Sequence, residues 1–229
     1  MDTEVRESRV EWGTFEWSEF EAMFLERLAM EDFSDRTVLD LGTGQGRLAL
    51  HLAPRAGRVV GIDTDVEALA AARDRARALR IANVTFIPAD ADSANYRLLP
   101  RSPLDYVVAN HFMSEGAIHG ASVGLRLGGR FLFACHHRDQ WIESGREGRF
   151  SFGEDRMRAL LSAADLSLGF LGIERRIVTY SNLHELGRAH PELETKFRAD
   201  GRWEALANRF GGGPAQLTWS TLVGVAAKP

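Results

Sequence analysis

Asp40, Gly42, Gly44 and Gly46 stand at alternate positions in TVLDLGTGQGRLAL, the stretch from Thr37 to Leu50. An apolar run holding one acid reads as a β-strand, the glycines as a turn stripped of side chains, and the aliphatics beyond as a helix. Strand, bare turn and helix in that order make a ligand site. N–H groups at the helix start face outward, and glycine lets a small polar ligand reach the main chain without meeting a Cβ. Asp63, closing RVVGID about 20 residues further on, can accept hydrogen bonds from both hydroxyls of a ribose, which suits an adenosine-containing ligand. A phosphate-binding P-loop is excluded, because Arg47 and Leu48 follow Gly46 where Lys and Ser or Thr are required. The dinucleotide fingerprint fits at Gly42 and Gly44 but meets Arg47 in place of its third glycine. Asp40 narrows the choice: a carboxylate beside a pyrophosphate is repelled at short range, whereas a ligand carrying an ammonium and a sulfonium is not. Its other use is to tie down the turn by hydrogen bonds.

A second set of residues could move protons. His111 follows LDYVVAN, and His136 with His137 ends GRFLFACHH, so each sits where a strand exits toward the ligand side. Histidine is the usual base near neutral pH, and His111 and His136 are the candidates for that role, with a hydrogen-bonded wall residue as the alternative for each. His136, His137 and Asp139 raise the question of a metal; adjacent histidines on an extended chain point different ways, and no metal site is expected. Trp12, Phe15, Trp17 and Phe20 could form an apolar lid over the site or fasten the first helix to the core.

Positioning these residues takes a regular alternation of elements. TVLDL, RVVGID, NVTFIPA, LDYVVAN and GRFLFACH are short apolar runs of β type, separated by helical stretches GRLALHLA, VEALAAARDRARALR and SEGAIHGASVGLRL. That rhythm predicts an α/β fold, a mainly parallel sheet with helices on both faces. Apolar residues at three- and four-residue steps predict a helix from Ser18 to Asp32, so that residues 1–34 read as an N-terminal helical lid segment. Beyond Trp141 come a helix near EDRMRALLSAA, a β run LGFLGIERRIVTY, and a last β run QLTWSTLVGVAA after the breaker Gly211 to Pro214. Residues 182–213 read as an insertion of one or two amphipathic helices broken near Pro191 and Gly201, able to cap the substrate pocket or to make a homodimer contact.

The 229 residues fit a single domain, and 45% apolar with 26% charged residues is an ordinary globular balance. A charged N-terminus, no membrane-length apolar stretch and a single cysteine, Cys135, predict a cytoplasmic protein without disulfides and no membrane partner. A formal charge of −4 argues against a nucleic-acid partner; Arg73, Arg75, Arg77 and Arg80 read as the solvated face of a helix.

VLDLGTGQG, followed by VVGID and FIPAD, resembles the class I S-adenosylmethionine-dependent methyltransferases, in their glycine motif, the acid ending the second strand and the acid after the third. The resemblance covers roughly Asp35 to Ala134, and the element order carries it to the C-terminus. It implies a Rossmann-like, doubly wound sheet of seven strands, mostly parallel with an antiparallel last strand, in the order 3-2-1-4-5-7-6. It further implies S-adenosyl-L-methionine as cofactor and S-adenosyl-L-homocysteine as product. Asp40, Gly42, Thr43, Gly44, Gln45 and Gly46 would surround the methionine part, Asp63 and Thr64 the ribose, Asp90 and Ala91 the adenine, and Asn110 would line the pocket beside the sulfonium. Asp90, followed by Asp92 and Ser93, also reads as a turn cap. The acceptor implied is an oxygen or nitrogen of a small molecule, since the Asn-Pro-Pro-Tyr type of motif is replaced by Asn110, His111, Phe112 and Met113. Methylation of protein or RNA, and a non-catalytic cofactor-binding scaffold, are the competing expectations.

Overall fold

The computed structural model describes residues 2–14, 21–96, 99 and 103–229. Phe15, Trp17 and Phe20 of the expected lid lie outside the described residues. Five apolar runs form parallel strands: β2 (Thr37–Leu41), β3 (Arg58–Asp63), β4 (Val84–Pro88), β5 (Leu104–Asn110) and β6 (Leu125–His136). Their side chains alternate between two cores. Leu39, Val60 and Val107 pack on one face with α4 (Glu115–Gly124) and α5 (Glu154–Ala163). Val38, Val59 and Val108 pack on the other with α1 (Ala22–Ala29), α2 (Arg47–Leu52) and α3 (Val66–Ala78). Burial on both faces is why these strands are apolar almost throughout.

Two long strands, β7 (Ser167–Tyr180) and β8 (Ala215–Ala227), complete the sheet; β8 runs antiparallel to both β6 and β7. Seven of the strands therefore follow the implied order, mostly parallel with the antiparallel member between β6 and β7. An eighth, β1 (Glu4–Glu11), lies parallel to β7 at the edge, in the sheet order β1-β7-β8-β6-β5-β2-β3-β4. It occupies part of the segment expected to be helical. EVRESRVE shows no alternation because both faces of this edge strand are largely solvated, and its charges pair with neighbours, Arg6 with Glu26 and Arg175 with Glu7.

Caps fix the helices that frame the site. Asp65 accepts from the Glu67 and Ala68 N–H groups at the start of α3, and Ser114 from Ala117 at the start of α4. Helix α1 has no cap of its own: Glu174 on β7 accepts from the Ala22 and Met23 N–H groups at 3.2 and 2.7 Å. The insertion holds three helices rather than one or two, α6 (Leu183–Ala189), α7 (Pro191–Asp200) and α8 (Arg202–Phe210). Pro191 starts α7 and Gly201, at φ +82°, makes the elbow into α8. They form a third core with the far ends of β7 and β8 through Tyr180, Leu186, Phe197, Trp203 and Leu217. Leu125 to Leu127, expected at the end of a helix, instead begin β6.

Candidate functional site

The chain leaves β2 at Asp40 and Leu41 and turns through the three glycines into α2. Asp40 is buried, and its Oδ2 accepts from the Thr43 hydroxyl at 2.6 Å and the Ala49 N–H at 3.1 Å. The carboxylate thus holds the turn against the first turn of α2. Burial pushes its pKa up to about 7, against the two hydrogen bonds and with help from the charge of Asp63.

All three glycines have positive φ, +61°, +51° and +80°, but they are bare for different reasons. A Cβ on Gly42 would come within 2.6 Å of the Phe112 ring, and one on Gly46 within 2.8 Å of the Phe86 ring. Those two positions are filled by the protein's own aromatics. A Cβ on Gly44 would meet nothing within 4 Å, so the open main chain is at this one glycine. Asp63, from the end of β3, accepts the Gly44 N–H on Oδ2 at 2.8 Å and the Asp65 N–H on Oδ1 at 2.9 Å.

Around Gly44 lies a crevice of about 400 Å³, lined by Asp40, Gly42, Thr43, Gly44, Gln45 and Asn110, with Arg47, Leu48 and Arg75 at its side. Asn110 Oδ1 is buried and has no hydrogen-bond partner. Asp63 reaches the crevice only through its bond to Gly44, Gly46 is packed beneath it, and Thr64 is exposed. Asp90 caps its own turn, taking the Asp92 N–H at 2.9 Å and the Ser93 hydroxyl at 3.2 Å. Ala91 is in the core, and its carbonyl accepts from the Tyr96 hydroxyl. Arg47, Leu48 and Arg75 had no signal in the sequence beyond their place on the two flanking helices.

The next residue after Asn110 opens a second arrangement. His111 sits at φ +55°, its N–H bonded to the Ala134 carbonyl at 2.7 Å, and its Nε2 lies 3.2 Å from Glu21 Oε1. Glu21 immediately precedes α1 and also accepts from the Thr221 hydroxyl at 3.0 Å; its Oε2 is buried without a partner. Burial alone would raise the pKa of Glu21, but the hydrogen bond and charge of His111 more than reverse that, and the carboxyl is held below its usual value. His136, from the end of β6, has its ring 5.4 Å from that of His111, and its Nδ1 is buried and unpartnered. Burial, then the charges of His111 and Lys196, push the pKa of His136 down to about 4 against the pull of Glu21. The ring is therefore neutral at neutral pH. Glu21 was not legible in the sequence, because nothing near it in the chain announces a contact with the end of β5.

His137 points away from this group. Its Nδ1 lies 3.1 Å from Ser220 Oγ and its Nε2 3.2 Å from Glu154 Oε2, while Asp139 pairs with Arg175. Past His136 stands Trp141, 5.6 Å between ring centres, and beyond Trp141 a cavity of about 480 Å³ opens under α7.

Residues 32–143 match the family model of a methyltransferase domain. The chain is similar to the ribosomal RNA small subunit methyltransferase A of Koribacter versatilis, with 40% identity over 62 residues, 27% of this chain and 21% of that protein. The chain spans about a fifth of the length of the curated relatives it matches. Among solved structures, the YcgJ protein of Bacillus subtilis is similar at a TM-score of 0.66 and 19% identity, over 89% of this chain and 96% of that one. An S-adenosylmethionine-dependent methyltransferase from Mesorhizobium loti is similar at a TM-score of 0.56 and 16% identity, over 88% and 94%. At such identities the likeness is one of fold. Taken with the strand order and the bare crevice at its centre, the match over residues 32–143 shows a methyltransferase domain on the fold of the class I S-adenosylmethionine-dependent methyltransferases.

Proposed function

We propose that the protein transfers the methyl group of S-adenosylmethionine to an oxygen or nitrogen of a small molecule, with His111 taking the acceptor's proton. The observation that carries this reading is a juxtaposition on consecutive residues. Asn110 lines the crevice with a buried, unpartnered acceptor oxygen, and His111 beside it has its imidazole on a buried carboxylate.

The crevice suits the cofactor. An orphaned carbonyl oxygen requires a donor, which an ammonium supplies, and the open main chain at Gly44 lets a ligand lie against it. Asp63, bonded to the Gly44 N–H, adds negative charge near the position of a cation. When bound, S-adenosylmethionine supplies a methyl group already activated by a sulfonium. What the protein must add is alignment and a place for the proton.

In its neutral form His111 gives Nε2–H to ionised Glu21 and keeps Nδ1 as the nitrogen that takes the proton. Thr221 holds the other end of that pair in place. Neutral His136 offers a hydrogen-bonding edge without competing for the proton.

A small acceptor is favoured over RNA or protein by the three insertion helices, which stand over the ends of β7 and β8, and by the net charge of −4. Among the described residues no helix is long and apolar enough to cross a membrane. The test is formation of S-adenosylhomocysteine with a metabolite panel. His111→Ala should lower the rate by about 10² to 10⁴ with cofactor affinity unchanged. An unchanged rate would remove His111 from the chemistry, and no turnover with any acceptor would favour a non-catalytic cofactor-binding domain.

A further inference from the structure

The cavity beyond Trp141 is used by neither the crevice nor the proton-accepting pair. Its volume is about 480 Å³, and Trp141, Trp219, His190, Leu193 and Lys196 wall it. The two indoles meet edge to face, 5.8 Å between centres at 86°, and the His190 ring lies 5.1 Å from Trp219. Walls made of flat rings favour a flat ligand, which gains contact on each face at little cost in its own flexibility.

Polar groups at the cavity point to an anion. Lys196 Nζ lies 5.3 Å from the centre of the Trp141 ring, and the Trp141 indole N–H is buried without an acceptor. Glu192, one turn earlier on α7, also lines the rim, but Lys196 is the charged group set over the Trp141 ring. Trp141 is held at φ +59°, its backbone N–H bonded to the Thr218 carbonyl at 2.8 Å. A bulky residue is strained in that region, and here the conformation sets the indole between His136 and the cavity.

We propose that this cavity receives the methyl acceptor, and that the acceptor is a planar aromatic molecule bearing an acidic substituent. Its ring lies against Trp141 and Trp219, its anionic oxygen meets Lys196 and the Trp141 N–H, and its hydroxyl extends past His136 to His111. The proposal rests on the methyltransferase reading of the crevice. Ring centres 5.6 Å apart for Trp141 and His136, and 5.4 Å apart for His136 and His111, set these side chains in a row from the cavity wall toward the residue next to Asn110. Glu21 sets the polarity of the ligand, because a buried carboxylate beside His111 repels an acid at the reacting end and leaves Lys196 as its place. In the transfer the hydroxyl proton passes to His111 Nδ1, the oxygen–carbon bond forms, and the carbon–sulfur bond breaks with its electron pair retained by sulfur.

The test uses the full chain saturated with S-adenosylhomocysteine. Hydroxyaryl carboxylates of increasing ring number are titrated calorimetrically, each beside its neutral amide and an aliphatic acid of similar volume. The aromatic acid should bind about fivefold or more tighter than its amide, Lys196→Met should abolish that preference, and Lys196→Glu should reverse it. Trp219→Leu should weaken acid and amide alike, and Lys196→Met should leave S-adenosylhomocysteine affinity unchanged. Equal binding of acid and amide, equal binding of flat and aliphatic acids, or binding of none would overturn the proposal. Failure of S-adenosylhomocysteine itself to bind would strike the cofactor reading instead, and the same titration on the unloaded chain would still report on the cavity.

Discussion

Asp40 and Asp63 both end strands beside the glycine turn, and they do different work. Asp40 is pinned inward, and because burial lifts its pKa from 3.8 to about 7 the native state keeps a proton that the unfolded chain loses in that window. Stability should therefore be greatest below pH 3.8 as far as this group is concerned, and fall as pH rises through about 7, by roughly 4 kcal/mol at most. Thermal unfolding of Asp40→Asn across that range should lack this decline; equal pH slopes in both proteins would contradict it. Asp63 instead fixes the Gly44 N–H, so Asp63→Ala should weaken S-adenosylhomocysteine binding by about 1 to 3 kcal/mol in calorimetry. The glycines separate in the same way. Gly42→Ala drives a methyl group into Phe112 on top of backbone strain and should lower the melting temperature the more, while Gly44→Ala meets no atom, carries only the strain of its positive φ and should weaken ligand binding as well. The sequence showed that bare backbone was needed over this stretch; it did not show that Phe112 and Phe86 take up two of the three vacancies, since those contacts come from β4 and the end of β5.

Helix α1 carries Glu21 to His111, yet its start is capped by a residue of another element, Glu174 on β7. Glu174→Ala should cost about 1 kcal/mol of stability, the usual worth of a cap, and should lower kcat more than it changes cofactor affinity, because Glu21 adjoins the freed N-terminus. If kcat and affinity are both unchanged, α1 does not position the base. Glu21→Gln should likewise reduce kcat by about tenfold or more with Kd for the cofactor unchanged, and Glu21→Asp should recover part of the loss. The five parallel strands and the helices between them were legible because burial on both faces makes a strand apolar throughout and leaves a helix its periodic stripe. β1 was not legible, since EVRESRVE is held by main-chain pairing to β7 and shows solvent on either side. Nor was the division of the insertion into three helices, which depends on a left-handed Gly201 and on packing against Tyr180 and Leu217.

Strand order governs where the two halves of the site meet. β2 pairs with β3 on one side and β5 on the other, so the chain direction through the sheet reverses between β2 and β5, and the crevice opens at that switch point. The glycine turn comes from one side of the switch, Asn110 and His111 from the other, and the cavity under α7 lies further along the same edge, past His136 and Trp141. The architecture thus sets the crevice, the proposed base His111 and the aromatic-walled cavity along one edge of the sheet. Cofactor identity at the switch point is the claim on which the rest of that line depends. Titration calorimetry of the full chain with S-adenosylhomocysteine and with NAD tests it most directly. The account predicts saturable one-to-one binding of S-adenosylhomocysteine, weakened by Asp63→Ala, and no heat from NAD; saturable binding of NAD with none of S-adenosylhomocysteine would contradict it.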